Sequence, residues 1–259
     1  MSERKKTTYN IQVVSSALDV LEQFHGTDGE LGFTELCNHL KISKNKVFRL
    51  LATLESRYFI EQNKETTGYR LGLKNLQLGH TYLKQTGFLR HAKPVLESLT
   101  RRCNETSYVA ILKDFQAVYL DSIESNLPVR VVSRVGKRFP IYCTAVGKIL
   151  AADLDERVLR EHFKKTEFVR YTSNTIIDHA ELADHLTRIS ELGYAVDDEE
   201  LDVGVKCVAA PIRDYTKRVI GAVSISAPSM RSADDRMDNV LIPLIRESAQ
   251  ELSDKLGYS

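Results

Sequence analysis

Residues 31–71 read LGFTELCNHLKISKNKVFRLLATLESRYFIEQNKETTGYRL, and this stretch decides the fold of the N-terminal part. Phe33, Leu36, Cys37 and Leu40 recur at i, i+3, i+4 and i+7. Val47, Leu50, Leu51 and Leu54 repeat that spacing, so each set makes one apolar stripe on a helix. Thr34 and Ser43 stand where N-caps belong, because each hydroxyl can accept from an amide of the first turn. Only Lys41-Ile42 joins the two helices, and so short a link packs them at a steep angle, as in a helix-turn-helix. Ile60-Glu61-Gln62 and Tyr69-Arg70-Leu71 alternate apolar and polar around the polar turn Asn63–Gly68, which predicts a β-hairpin, a wing.

The polar side of the second helix carries Lys41, Lys44, Lys46 and Arg49, with no acid until Glu55. Arg pairs bidentately with guanine, Asn with adenine, and Lys with phosphate or guanine. The Ser43 end offers free amides and a positive dipole end to a phosphate. The candidate DNA contacts are therefore Ser43, Lys44, Asn45, Lys46 and Arg49, with Lys64 and Arg70 of the wing placed for backbone phosphates. A solvated basic face on an ordinary core helix is the alternative reading, and Lys64 equally suits a solvated loop. Helix, turn, helix and hairpin together favour double-stranded DNA as a partner.

Composition bounds the rest. The chain has 259 residues and a formal net charge of +1, so no global basicity points to nucleic acid. Residues 1–75 carry 11 Lys+Arg against 9 Asp+Glu, and a local patch suffices for phosphate contacts. Cys37, Cys103, Cys143 and Cys207 are scattered without a CxxC, which fits buried thiols in a reducing cytosol better than disulfides or zinc. No apolar run is long enough to span a membrane, and MSERKKTTYN lacks a secretion core. The expectation is a cytoplasmic protein without membrane contact. The basic Arg4-Lys5-Lys6 can brush DNA backbone, although a frayed terminus is the default.

Ile11, Val14, Leu18 and Leu21 form a helical stripe with Asn10 as its candidate cap. Residues 72–90 read as one helix with little apolar surface, either a linker or a plain surface helix. A helix over 89–102 follows. Strands are expected at 107–112, 117–123, 129–135, 194–196, 206–212 and 219–226. Helices are expected at 145–152, 155–163, 179–192 and 233–256. Strands in turn-linked pairs favour a mostly antiparallel sheet with helices packed on it, an α+β module.

Two places in this second part suit a small-molecule pocket. At Thr144–Lys148 a capped helix start with small residues presents amides to an anion such as a carboxylate; small residues that merely permit close packing are the alternative. In Val219–Ser226, strict alternation puts Val219, Gly221, Val223 and Ile225 on one face and Ile220, Ala222, Ser224 and Ser226 on the other. Buried hydroxyls need a partner, which can be backbone, water or ligand. Cys207 and the acidic run Asp197–Glu200 add soft and polar groups. Four consecutive acids usually form a solvated turn, and one turned inward would anchor a pocket.

The series ISKNKVFRLLATLE, GYRLG, RVGKRFPIYCTAVGKILAA, GYAVDDEELDVGVKCVAAPIRD, VSISAP and Arg231 resembles the IclR family of bacterial transcriptional regulators, over nearly the whole chain from about Ile11 to Leu256. The resemblance implies a winged helix-turn-helix DNA-binding domain over 1–73, a linker helix over 74–90, and a GAF-like effector-binding and oligomerisation domain over 91–259. It implies dimers, often paired into tetramers, that bind operators and respond to small organic effectors, frequently aromatic or short carboxylic acids. Carried over by position, the effector contacts fall on Ala145, Val146, Asp197, Val205, Cys207, Ser224 and Ser226. Asp197 would repel an effector carboxylate unless it is protonated or receives a hydroxyl proton. The recognition helix departs from the family, with Asn45-Lys46 in place of a common Ser-Thr pair and Phe48 where Tyr or His is frequent.

An enzyme using Cys207 or Cys143 is a second reading, but no GxSxG, HExxH or GxxxxGK[ST] occurs. A sensor that signals only through protein contacts is a third, and the acid-free basic helix argues against it. No catalytic residue, metal site or cofactor is expected.

Overall fold

A computed structural model describes residues 10–24, 27, 29–85 and 87–258. The chain divides into two compact units, residues 1–85 and 86–259. The basic run Arg4-Lys5-Lys6 lies outside the described residues.

The first unit holds α1 (Gln12–Glu22), α2 (Phe33–Leu40), α3 (Lys44–Ser56), β1 (Ile60–Gln62), β2 (Tyr69–Leu71) and α4 (Leu73–Gln85). The predicted stripes of α2 and α3 form its core, where Leu36 and Cys37 meet Val47, Leu50, Leu51 and Leu54, with Val20, Ile60 and Tyr69; of the predicted α1 stripe, Ile11, Val14 and Leu18 are exposed. Each fully buried aliphatic side chain contributes about 2 kcal/mol of apolar burial. Ser43 caps α3 by accepting from the Lys46 amide at 3.4 Å. Thr34 is not a cap. Gly32 takes that position in an extended conformation, its N–H donating to the Glu35 carboxylate at 3.4 Å, so α2 begins two residues earlier than a Thr34 cap would have it. Ile11, not Asn10, precedes α1. Lys41 closes α2 with a left-handed φ of 52°.

The hairpin pairs Ile60 with Leu71 and Gln62 with Tyr69. Its turn is tied down from a distance: Asn63 Nδ2 donates to Glu30 Oε1 at 2.7 Å, and the Thr66 hydroxyl donates to the other oxygen of Glu30. After the wing the chain returns onto the α3–β1 turn, with the Gly72 amide 2.8 Å from the Phe59 carbonyl. A Cβ on Gly72 would lie 2.4 Å from the Tyr58 carbonyl oxygen, so this approach requires glycine.

The second unit runs α5 (Gly87–Cys103), β3 (Thr106–Lys113), β4 (Gln116–Ile123), β5 (Arg138–Pro140), α6 (Ala145–Ala152), α7 (Glu156–Phe163), α8 (His179–Leu192), β6 (Ala195–Asp198), β7 (Val205–Arg213), β8 (Val219–Pro228), α9 (Asp234–Arg236) and α10 (Ile242–Asp254). Its strands make one antiparallel sheet in the order β5-β4-β3-β8-β7-β6. On one face α5 and α10 cover Val109, Val208, Ile212, Val223 and Ile225. On the other, α6 packs across the sheet beside α8, over Tyr108, Tyr119, Cys207, Ala209 and Ala222.

Four further expectations are corrected. The helix read across 72–90 is two helices, and residues 87–90 open α5, where Phe88 and Leu89 are buried in the second unit's core. Residues 129–135 form no strand. They cross the sheet face, and two of their carbonyls accept from β3 side chains instead of from a neighbouring strand. The short β5 pairs with β4 in their place. A bulge at Ile212/Arg213 pairs Val219 with Arg213 and Gly221 with Ile212. This shift moves Val219 to the α6 side and Ile220 to the α5–α10 side, the reverse of strict alternation. The helix expected at 233–256 is broken into α9, a π-helical turn at Met237–Leu241 and α10; Pro243 lacks an N–H, and the wider turn absorbs it.

Candidate functional sites

In the first unit, burial of Val47, Leu50, Leu51 and Leu54 leaves Asn45, Phe48, Arg49 and Ala52 on the exposed side of α3, at i, i+3, i+4 and i+7. Ser43 and Lys44 are exposed at the helix start, and Lys46 is half-buried. Phe48 is 61% exposed, an apolar ring in the middle of the polar face. Such a ring can contact a thymine methyl, so it joins the candidates. On the wing, Lys64 is exposed, while Arg70 already holds Glu61 at 2.6 Å. The Glu30 carboxylate beneath the wing is held below its ordinary value by the Thr66 and Asn63 hydrogen bonds.

In the second unit the sheet register gathers the predicted residues into two rows on the face under α6. Asp197 pairs with Cys207, Cys207 with Ser226, and Ser226 with Thr106. The adjacent row runs Ala195, Ala209, Ser224, Tyr108. Asp197, Cys207, Ser224 and Ser226 are all buried. Val205, half-buried, packs at the margin of the same core.

The hydrogen bonding there is incomplete. Cys207 Sγ and Ser226 Oγ meet at 3.1 Å. One Asp197 oxygen accepts the Glu200 amide at 2.7 Å. Among the described residues, the other Asp197 oxygen and the Ser224 hydroxyl make no hydrogen bond, and unlike the shut-in second oxygen of Glu200 they keep a little accessible surface. Above the face, Thr144 caps α6 by accepting from the Gly147 amide at 3.0 Å. The next two amides, of buried Ala145 and Val146, find no acceptor among the described residues. Gly147 lets this helix start press inward, since a Cβ there would lie 2.6 Å from the Ile141 Cα.

Burial governs the electrostatics of this face. Asp197 is pushed up to about 7, first by burial and then by the Glu200 charge. Its carboxyl is therefore part-protonated near neutrality and able to donate a hydrogen bond. Burial, then the charge of Asp197, pushes the Cys207 thiol up to about 12. Tyr108 and Tyr119 are raised by the same cause. Beneath Asp197, Lys148 is fully buried, donating to the Val196 carbonyl at 2.8 Å and to Glu200 Oε1. The second oxygen of Glu200 is buried without a partner. Of the four acids at 197–200, Asp197 and Glu200 thus turn inward.

Sequence reading missed Thr106, Tyr108 and Arg134. Thr106 Oγ1 donates to the Val131 carbonyl at 2.6 Å, and the Tyr108 hydroxyl to the Val132 carbonyl at 2.6 Å. They pin the crossing segment over the face. Period-2 alternation in β3 puts both residues on one side, a signal available once β3 is known to lie beside β8. A groove of about 690 Å³ lies elsewhere, lined by α7 and α8 residues such as Arg160, Phe163, His179 and Asp184; it contains none of the predicted effector residues.

Residues 13–64 match the IclR helix-turn-helix domain, and residues 80–254 match the bacterial transcriptional regulator IclR C-terminal domain. The chain belongs to the IclR family. The HTH-type transcriptional regulator XynR of Escherichia coli K12 is 35% identical over 248 residues, covering 96% of this chain and 98% of that protein. The crystal structure of the Thermotoga maritima IclR has a TM-score of 0.81 at 28% identity, covering 96% of this chain and all of that one. An IclR homologue from Microbacterium hydrocarbonoxydans, crystallised with 4-hydroxybenzoate, has a TM-score of 0.83 and covers 95% of this chain and all of that one; at 21% identity it shows the fold alone. The protein is thus an IclR-family transcriptional regulator with an N-terminal DNA-binding helix-turn-helix domain and a ligand-binding C-terminal domain of α+β architecture.

Proposed function

We propose that this regulator reads its operator with Ser43, Lys44, Asn45, Lys46, Phe48 and Arg49, assisted by Lys64 and Arg70 of the wing. It answers to a short organic acid that also carries a hydroxyl group. The effector is held by Ala145, Val146, Asp197, Val205, Cys207, Ser224 and Ser226. The observation that carries this reading is the pair of unpartnered buried amides at Ala145 and Val146, on the helix packed over Ser224 and Asp197. Buried donors of this kind call for an acceptor, and a carboxylate supplies one. Asp197, protonated or accepting, takes the effector hydroxyl, which removes the repulsion that an ionised carboxylate would exert.

The working division is a DNA-binding part over 1–73, a linker over 74–90 and an effector part over 91–259, assembled as a dimer or tetramer. Exposed Ile11 before α1, Val13 and Val14 on it, and Leu73, Leu76 and Leu78 on α4 support association with further copies. Effector binding biases the arrangement of DNA-binding parts within that oligomer, and with it the half-site spacing they span. The protein acts by binding rather than catalysis. Burial raises both candidate nucleophiles, Cys143 and Cys207, so neither holds a thiolate at neutral pH. No helix among the described residues is long and apolar enough to cross a membrane, in keeping with a cytoplasmic regulator.

The test is fluorescence anisotropy with DNA from upstream of the protein's own gene, across a salt series and with small acids added. The reading expects saturable binding that exceeds random DNA, weakens steeply with salt, and shifts with a hydroxy acid. Binding unmoved by every acid in a broad panel would contradict the effector half of it.

A further inference from the structure

We propose that Arg134 is the cation that selects acids over neutral molecules at the polar face, and that Asp202 occupies it until an effector carboxylate takes its place. This rests on the acid-effector reading above.

Arg134 stands on the crossing segment, two residues beyond Val132, which Tyr108 pins, and three beyond Val131, which Thr106 pins. Tyr108 and Thr106 are themselves the register partners of Ser224 and Ser226. The guanidinium lies 5.2 Å from the centre of the Phe139 ring, which packs on the same core as Tyr108, Tyr119 and Cys207. Phe139 meets Tyr119 at 5.7 Å and Tyr119 meets Tyr108 at 5.3 Å between ring centres, so a chain of rings joins the guanidinium to the polar face, and its charge opposes the burial effect at Asp197 and Cys207.

The side chain is only 12% exposed, yet Asp202, its one ionic partner among the described residues, is 50% exposed. Among the described residues it makes one hydrogen bond, from Nη2 to Asp202 Oδ2 at 2.5 Å. A guanidinium has five N–H donors, and four are left in a planar fork that fits a carboxylate bidentately. Lys148, the other cation at this face, is committed to Val196 and Glu200. An ion pair with one partner half in water is weakly held. A carboxylate inside the enclosed face meets the same guanidinium at lower dielectric and displaces Asp202. Arg134 thus supplies the positive charge that the amides of Ala145 and Val146, being neutral, do not.

The test uses the full chain, with glycerate, gluconate and 4-hydroxybenzoate as probes, each beside its neutral amide, read by calorimetric titration and by thermal shift. The wild type is expected to bind at least one acid and to reject its amide. Arg134→Gln should weaken that acid by at least about tenfold and leave acid and amide equal. Arg134→Lys should recover part of the preference. Asp202→Asn should tighten the acid severalfold without moving the ligand-free melting temperature. If Arg134→Gln does not fold, the Lys and Asp202→Asn variants decide. Acid preference unchanged in the Arg134 variants, or affinity unchanged in Asp202→Asn, overturns the assignment while the acid reading stands. A wild type that binds none of the acids overturns the acid reading and this inference together.

Discussion

The two units set their proposed functional groups in opposite surroundings. On α3, Asn45, Phe48 and Arg49 stand in water, supported from behind by buried Val47, Leu50 and Leu51. On the sheet face of the second unit, Asp197, Cys207, Ser224 and Ser226 are sealed beneath α6. A groove reader keeps its polar groups hydrated until base edges and phosphates replace the water. A small-molecule site does the reverse, holding donors unmatched in a dry interior so that a ligand completes them. The charge behaviour follows. Burial pushes Asp197 up to about 7, whereas in the first unit Glu30 is lowered by hydrogen bonds at the surface.

The largest expected effect separates the units by stability. Glu200→Ala leaves the Lys148 ammonium buried without its carboxylate, and should cost the second unit about 3–5 kcal/mol. Hydrogen exchange should show protection falling in β6, β7 and α6 and unchanged in α2 and α3. Equal loss in both units would break the comparison.

A second effect depends on pH. The folded value of Asp197 lies above the ordinary carboxylate value, so the native state binds the extra proton. The stability linked to that proton is full below about pH 4 and is lost as pH rises to about 7. Thermal melts of Asp197→Asn between these limits should be flatter than those of the wild type. Parallel curves would count against the burial of an ionisable Asp197.

Smaller changes concern DNA. Arg49→Ala should cost specific operator affinity about 1–3 kcal/mol by anisotropy, and leave acid-induced stabilisation as it is. Arg70→Ala should cost less than about 1 kcal/mol and reduce the salt slope by at most about one, because Glu61 already holds that side chain. An Arg70 effect as large as that of Arg49 would move the reading surface from α3 to the wing.

Legibility in the sequence divided along the same line. The helix-turn-helix was readable because its determinants are local: two 3.6-residue stripes, a two-residue link and the Ser43 cap. What escaped there was distant, such as Glu30 fastening Asn63 and Thr66 of the wing. In the second unit, element types in α6, α8, β7 and β8 followed from pattern. The site did not, because it is assembled by register. β3 and β8 are more than a hundred residues apart in the chain, and only their pairing sets Thr106 beside Ser226 and Tyr108 beside Ser224. Alternation in Val129–Val135 was indistinguishable from a strand, since nothing local tells a strand from a segment held by the Thr106 and Tyr108 side chains. The bulge at Ile212/Arg213 likewise reversed the faces of Val219 and Ile220 without any signal in β8 itself. Arg134 went unread for the same reason: its place depends on that crossing.

The most direct test of the central claim, that acid recognition resides on the sealed sheet face and DNA reading on α3, is thermal unfolding of the full chain with the tightest-binding acid of the panel, for wild type, Arg49→Ala and Ser224→Ala. The account predicts that Arg49→Ala keeps the wild-type shift and Ser224→Ala loses most of it. A full shift in Ser224→Ala would contradict it.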